Sequence, residues 1–293
     1  MLFDDATLRK LNQLTLVAAR IRAGGIQGDR RSTRRGSSVE FADYRNYSPG
    51  DDLRRLDWNI YARLERPFIK LFEEEQDLAV TILLDGSGSM SWGQGELNKF
   101  DYARRLAAGL GAAALSGGDQ LSVALLRDGR VAADAGPMRG PAVLARLFRF
   151  LETLTPGGAT DLNGSLRQAA IKPRRPGLAI LISDLLAPQG YESGLRELLG
   201  RSYEVVLLHL LAPDELDPEL AGDLQLVDIE TGQGQDVSLD GGLRSLYRQR
   251  AQAWLGAVQA DCRKRGIRYL HLNTRRPWDQ ALLLEMRQAG IVK

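Results

Sequence analysis

The sequence is poor in the residues on which several classes of protein depend. Cys262 is the only cysteine, and there are two histidines among 293 residues. A single cysteine excludes an internal disulfide framework and favours a reducing compartment, so we expect a cytoplasmic location. One cysteine with two histidines also argues against a zinc site.

Long apolar runs and a strong net charge are absent as well. No apolar run approaches the roughly 20 residues of a membrane span, and the acidic start of the chain does not resemble a signal peptide. The net charge of +2 predicts no strong attraction to nucleic acid or to a membrane surface. Four arginines lie close together without interleaved aromatic residues, which favours a solvated loop over a nucleic-acid arm: Arg30, Arg31, Arg34 and Arg35.

Enzyme motifs are also missing. The chain has no phosphate-binding loop that ends in Gly-Lys-Ser or Gly-Lys-Thr, and neither Ser87 nor Ser89 has the flanking residues of a G-x-S-x-G nucleophile elbow. Both histidines, His209 and His271, lie inside apolar strand patterns, where a hydrogen-bonded structural histidine is the commoner case. We therefore expect no enzymatic activity.

The most informative stretch that is present runs from Leu78 to Met90, LAVTILLDGSGSM. Residues 78–84 are apolar or β-branched without alternation, which predicts a central strand buried on both faces of a parallel sheet. Asp85, Ser87 and Ser89 follow directly, separated by glycines. Their oxygen atoms should leave the carboxyl end of the strand, where open α/β sheets bind ligands.

Two further loops supply oxygen atoms at equivalent places. Thr160 ends the turn-rich segment TPGGAT and Asp161 follows it, and Asp184 follows the apolar run LAILIS. Hydroxyl and carboxylate oxygens are hard donors that suit an octahedral Mg²⁺ shell at roughly 2.1 Å. An ordinary turn is the alternative for residues 85–89 taken alone, because Asp, Gly and Ser are common loop residues.

These three loops resemble the metal-ion-dependent adhesion site of the von Willebrand factor A-type fold. The resemblance maps its five positions onto Asp85, Ser87, Ser89, Thr160 and Asp184. It implies that the serines and the threonine ligate Mg²⁺, with Mn²⁺ or Ca²⁺ as other possible ions, and that the aspartates act directly or through water. It also implies that an Asp or Glu of a partner protein completes the metal shell.

A second resemblance lies in EFADYRNYSPGDDLRRLDWNIYAR, which is similar to the signature of the bacterial family called domain of unknown function 58. The matching residues are Arg45, Tyr47, Pro49, Gly50, Asp51, Asp52, Arg54, Asp57, Trp58, Ala62 and Arg63. The resemblance implies a MoxR-type AAA+ ATPase as partner and a role as an adaptor or a chaperone-type assembly factor. The opposite charges beside aromatic residues in this segment indicate an ion-paired structural network.

The fold expected from these patterns is α/β: a von Willebrand A-type, doubly wound, mostly parallel sheet with one antiparallel edge strand. Residues 78–293 should form this domain, with the edge strand coming from a hairpin that turns at Asp128-Gly129. Residues 1–77 should form a small N-terminal module with a helix over 6–23, and residues 224–239 a β-hairpin decoration.

The function expected is metal-dependent protein binding, and two alternatives stay open. Metal-assisted phosphoester hydrolysis could use the same loops if Asp161 or Asp184 served as general base. A scaffold that binds no metal is the other alternative, although the complete set of five oxygen-bearing positions argues against it.

Overall fold

The computed structural model describes residues 11, 14–18, 39–49, 51–53, 56–74, 78–218, 222–227, 232–239 and 241–293. The chain forms two compact units. The smaller extends from Ala19 to Asp77, and the larger combines the first 18 residues with residues 78–293. The arginines at 30–35, and most of the helix expected over 6–23, lie outside the described residues.

The described residues of the smaller unit form an antiparallel strand pair and one short helix: β1 (Val39–Asn46), α1 (Trp58–Leu64) and β2 (Phe68–Glu74). The Asp57 carboxylate caps α1 by accepting hydrogen bonds from the backbone N–H groups of Asn59 and Ile60. The Tyr44 hydroxyl donates to the same carboxylate at 3.1 Å. Sequence reasoning did not predict the two strands, because charged residues and a register shift near Phe41 interrupt their alternation.

The expected ion pairing is present in this unit. The Arg45 guanidinium donates to both Asp51 oxygens, at 2.6 and 2.7 Å, and the Ser48 backbone N–H donates to Asp51 Oδ2. The Asp51 carboxylate therefore joins β1 to the Pro49 turn. Its pKa is lowered, first by the Arg45 side chain and then by the Ser48 N–H.

The larger unit is built on a six-stranded sheet, with a separate two-stranded hairpin. Its strands are β3 (Ala79–Asp85), β4 (Gln120–Arg127), β5 (Arg130–Arg139), β6 (Leu178–Ser183), β7 (Glu204–Leu211), β8 (Gly222–Val227), β9 (Gly234–Leu239) and β10 (Arg268–Asn273).

In the described part of this unit, six α-helices of four or more residues accompany these strands: α2 (Lys99–Ser116), α3 (Leu144–Thr153), α4 (Leu162–Ile171), α5 (Glu192–Gly200), α6 (Pro213–Leu216) and α7 (Gly241–Lys264). The closing segment consists of three consecutive helical pieces over residues 278–288, and the middle piece, Ala281–Glu285, is a wider π turn. The acidic segment after β7 begins with the short helix α6.

The sheet order is β10-β7-β6-β3-β4-β5. All neighbours are parallel except β4 and β5, so the expected mixed architecture with one antiparallel edge strand is confirmed. Asp128 and Gly129 both have positive φ, at 52° and 70°, which suits the tight turn between these two strands. The predicted decoration is the β8–β9 hairpin, which the sheet does not include.

The sheet is buried because its inner strands are apolar on both faces. Every residue of β3, β6 and β7 is buried. On one face, α4, α5 and α7 contribute Leu166, Leu195 and Val258 to a core cluster with Leu83 and Leu207. Helix α2 contacts β3, β4, β6 and β7 and is almost entirely buried, as an Ala-rich helix with small side chains permits.

The structure differs from the expected domain division at the start of the chain. Leu16 pairs with Val292 in an antiparallel bridge, and Thr15 exchanges backbone hydrogen bonds with Lys293 at 2.9 and 3.2 Å. Residues 14–18 are therefore extended rather than helical and belong with residues 78–293. Within the described ranges, no helix has the length and apolar character needed to cross a membrane.

Candidate metal centre

The loop after β3 brings Asp85, Ser87 and Ser89 together at the carboxyl edge of the sheet. The Ser87 backbone N–H donates to Asp85 Oδ1 at 3.0 Å, which starts a tight turn. A 3₁₀ turn over Gly88–Ser91 then brings Ser89 Oγ to 3.0 Å from Ser87 Oγ. All three side chains are buried, so their oxygens form a compact polar cluster beneath the surface.

The loop that carries Thr160 is joined to this turn through the backbone. The Gly157 N–H donates to the Gly86 carbonyl at 2.9 Å, and the Gly88 N–H donates to the Gly158 carbonyl at 3.0 Å. Gly158 has a φ of +81°, a conformation that favours glycine. Thr160 is buried two residues further on, so the structure brings together the first two of the loops that the sequence singled out.

The turn between β4 and β5 supports the same loop. Asp128 Oδ1 accepts a hydrogen bond from the Ala159 N–H at 2.8 Å, and the Asp128 N–H donates to the Ala159 carbonyl at 3.2 Å. A side chain at Gly158 would collide with the Asp128 carboxylate. The hairpin therefore fixes the backbone immediately before Thr160.

The end of β6 supplies the third loop. The Ser183 hydroxyl donates to Asp85 Oδ2 at 2.6 Å and accepts from the Leu185 N–H at 2.9 Å. Asp184 is fully buried, and its Oδ1 accepts from the Leu186 N–H at 3.0 Å. Two neighbouring parallel strands thus place a carboxylate each at one edge of the sheet.

The two carboxylates repel one another in a buried environment. The pKa of Asp85 is raised from 3.8 to about 6, mainly by burial and secondly by the charge of Asp184. Hydrogen bonds from Ser183 and Ser87 oppose the rise. Negative charge at this position is therefore unfavourable unless a cation is nearby.

A buried lysine supplies part of that positive charge. Lys99 Nζ lies 2.6 Å from Asp184 Oδ2 and 2.5 Å from Glu215 Oε1, and the Lys99 side chain is fully buried. Burial raises the pKa of Glu215, and Lys99 opposes the rise. No local sequence pattern indicates this arrangement, because Lys99 is 85 residues from Asp184 and 116 residues from Glu215.

The buried histidine near the site is held as a neutral group. His209 Nδ1 lies 2.8 Å from the Tyr269 hydroxyl, and Nε2 lies 3.0 Å from the Asp184 carbonyl. Burial, followed by the charge of His271, lowers the pKa of His209 to about 3. His209 is thus a hydrogen-bonded strand histidine, as its sequence context indicated.

Asp161, a possible general base, has a structural contact instead. Its Oδ1 accepts from the Gly164 N–H at 2.8 Å and caps the N-terminus of α4. The sequence signal for this role was the position of Asp161 directly before the helical pattern. Ser183, like Lys99 and Glu215, is a residue of this region that the sequence patterns did not single out, since the strand before it pointed to Asp184 alone.

The donor set suits a hard cation bound mainly through hydroxyl groups. Each aspartate already accepts hydrogen bonds at both oxygens, Asp85 from Ser87 and Ser183 and Asp184 from Leu186 and Lys99. These carboxylates fit a role through water or through a remaining lone pair better than bidentate chelation. Among the described residues, no cluster of three or more His, Cys, Asp or Glu side chains is arranged for a metal. The candidate site therefore depends on serine and threonine oxygens.

The fold and this loop cluster define an α/β protein with a serine- and aspartate-rich site at the carboxyl edge of a mostly parallel sheet. The chain belongs to the family described as "Protein of unknown function DUF58", whose model matches residues 43–254. The predicted family is thereby confirmed.

A curated relative and two solved structures are similar to large parts of the chain. The chain is 30% identical over 280 residues to "Uncharacterized protein Rv1480" of Mycobacterium tuberculosis, a match that covers 94% of this chain and 87% of that protein. A structure of an aerotolerance-related membrane protein from Bacteroides fragilis has a TM-score of 0.44 and 16% identity, covering 73% of this chain and 98% of that one. BatB from Bacteroides thetaiotaomicron has a TM-score of 0.42 and 15% identity, with the same coverage.

Proposed function

We propose that the chain is a divalent-metal-dependent protein-binding module. In this proposal Ser87, Ser89 and Thr160 ligate Mg²⁺, and Asp85 and Asp184 act through water or a single oxygen. The bound ion would present a cationic face to an Asp or Glu of a partner protein, and that carboxylate would complete the shell.

One observation carries the proposal: two buried serine hydroxyls, 3.0 Å apart, lie beside a buried carboxylate whose pKa is raised to about 6. Such a cluster is unfavourable in the folded protein without a cation, so a binding role gives a physical reason for its presence. The position at the carboxyl edge of the sheet also agrees with where α/β proteins bind ligands.

Phosphoester hydrolysis is less well supported by the same residues. A general base needs a carboxylate that can reach a water molecule or a hydroxyl group. Asp161 Oδ1 caps α4, and Asp184 contacts the Lys99 ammonium at 2.6 Å. Turnover of a generic phosphoester that Asp85→Ala abolishes would favour this alternative over the binding role.

The partner class rests on the family resemblance and not on any contact in the chain. We propose that a MoxR-type AAA+ ATPase works with this protein in the cytoplasm, and that the protein acts as an adaptor or assembly factor for it. The proposed interaction requires Mg²⁺ at the site, because the partner carboxylate binds the ion rather than the protein alone.

The test uses wild-type protein and the Asp85→Ala variant as baits, each in Mg²⁺ and in EDTA. A purified MoxR-type ATPase and source-cell lysate are applied in parallel, and the retained proteins are identified by mass spectrometry. We expect retention only by wild type in Mg²⁺. Equal retention by both baits in EDTA would remove the metal site from the interface.

A further inference from the structure

The most unusual charged group outside the proposed ligands is Lys99, the first residue of α2. Its side chain is fully buried and its ammonium contacts two carboxylates, Asp184 and Glu215. Lysine is almost never fully buried unless it is paired, because an unpaired ammonium group is strongly unfavourable outside water. Such a costly arrangement beside a candidate metal site calls for a functional explanation.

Both carboxylates are fixed at their second oxygens. Asp184 Oδ1 accepts from the Leu186 N–H at 3.0 Å, and Glu215 Oε2 accepts from the Ala212 N–H at 2.7 Å. The Tyr247 hydroxyl of α7 donates to the Glu215 carbonyl at 2.8 Å. The ammonium therefore lies between two acceptors whose positions are set by the backbone.

The charges around this lysine leave a defined balance. Counted as full charges, the carboxylates of Asp85, Asp184 and Glu215 supply three negative charges, and the Lys99 ammonium supplies one positive charge. Two negative charges remain, which is the number that one divalent cation neutralises. Without Lys99 three negative charges would remain, and without Glu215 only one would remain.

We infer that Lys99 is an internal counter-ion that matches the charge of the metal site to a divalent cation, and that Glu215 is its positioning residue. Lys99 also keeps Asp184 Oδ2 engaged at 2.6 Å, so that Asp184 acts on the metal through water. This inference rests on the proposed metal site.

The first variant is Glu215→Gln, which has nearly the same shape and removes one negative charge. Because the lost negative charge no longer attracts a divalent ion bound nearby, we expect Mg²⁺ affinity to fall roughly tenfold or more. Glu204→Gln is the matched control. Glu204 is also a buried, ion-paired carboxylate, at 2.9 Å from Arg268, but it begins β7 and lies at the opposite edge of the sheet.

The second variant, Lys99→Met with Glu215→Gln, removes one charge of each sign and restores the balance of two. We expect its Mg²⁺ affinity to return to within about threefold of wild type, which makes the two substitutions strongly non-additive. If Lys99 and Glu215 only stabilise the fold, the double variant should bind Mg²⁺ no better than Glu215→Gln. Recovery of affinity therefore separates the electrostatic role from a structural one.

The measurement is isothermal titration of MgCl₂, and separately of MnCl₂, into the full chain, with thermal melts to verify folding. Wild type and Glu204→Gln should bind alike, Glu215→Gln should bind more weakly, and the double variant should recover. Wild-type affinity in Glu215→Gln, while Asp85→Ala abolishes binding, would overturn the inference and leave the metal site in place. Absence of binding in wild type itself would instead overturn the proposed function.

Discussion

Replacing Asp85 with asparagine should stabilise the metal-free protein, although the residue lies at the centre of the proposed site. Burial and the neighbouring Asp184 raise the pKa of Asp85 from 3.8 to about 6. A difference of this size corresponds to about 3 kcal/mol of unfavourable free energy when the group is ionised at neutral pH. Asparagine keeps the shape and removes the charge.

The stability gained by removing the charge is partly offset by a weakened hydrogen bond. Asp85 accepts from the Ser87 N–H and from the Ser183 hydroxyl, whereas asparagine has one acceptor oxygen. The weakened hydrogen bond costs about 1 kcal/mol, which leaves a net stabilisation of about 2 kcal/mol at pH 7.5 in EDTA. For a domain of this size, that should raise Tm by roughly 4–8 °C.

The pH dependence follows from the direction of the shift. The folded-state pKa of Asp85, about 6, lies above the unfolded value, so the folded protein binds more protons in the interval between them. Stability from this group therefore falls as pH rises through that interval and reaches its lowest level above the folded pKa. The advantage of asparagine should disappear below about pH 4, and because His209 is common to both proteins, their difference isolates Asp85.

Mg²⁺ should make wild type more stable than Asp85→Asn, which reverses the order expected in EDTA. At a concentration of about 100 times Kd, a ligand that binds only the folded state adds about 2.7 kcal/mol, and wild type should gain this while Asp85→Asn gains little. Chemical unfolding of both proteins in EDTA and in Mg²⁺, at several pH values, measures all of these differences. A destabilised asparagine variant in EDTA at pH 7.5, or equal gains with Mg²⁺, would refute the reasoning.

Three further predictions concern the surrounding structure. Gly158→Ala should lower Mg²⁺ affinity and destabilise the fold by about 1–3 kcal/mol, because a side chain at this position meets Asp128. Gly140 also has a positive φ but no atom within 4 Å of an added Cβ, so Gly140→Ala should leave the Mg²⁺ affinity measured by titration unchanged. His209→Phe should cost about 1–3 kcal/mol at pH 7.5 in urea unfolding, because it removes the contacts to Tyr269 and the Asp184 carbonyl. Since the pKa of His209 is lowered to about 3, wild type should also lose stability as pH falls below about 6.5, and the variant should lose less; parallel losses would contradict this. Asp57→Ala should destabilise α1 by about 1–2 kcal/mol and speed hydrogen exchange at Asn59 and Ile60, and unchanged exchange there would argue against the cap.

The central sheet could be predicted because each of its inner strands is a recognisable apolar run in the sequence. The apolar runs before Asp85 and Asp184 correspond to β3 and β6, which are neighbours in the sheet. Each run ends where a parallel sheet presents its carboxyl edge, so the topology alone brings the two aspartates close together.

The contacts that give the site its charge could not be predicted in the same way. Lys99 begins an Ala-rich helix, where a lysine is ordinary, and its partners are 85 and 116 residues away along the chain. Glu215 lies in a segment that reads as an acidic connection. Only the fold reveals that these residues meet, because no local pattern encodes a pairing across such distances.

At the start of the chain a local pattern is present, but it predicts the wrong structure. Leucines at 8, 11 and 14 indicated a helix, but residues 14–18 are extended and pair with residues 291–293. Tertiary pairing with the last residues of the chain overrode the local pattern there.

The most direct test of the proposed metal site is the anomalous scattering of a crystal grown or soaked with Mn²⁺. We expect one strong peak beside Ser87 Oγ, Ser89 Oγ and the Thr160 hydroxyl, and its loss in Asp85→Ala crystals treated identically. A peak elsewhere, or no peak at a concentration that saturates binding in solution, would contradict the assignment of the metal to these loops.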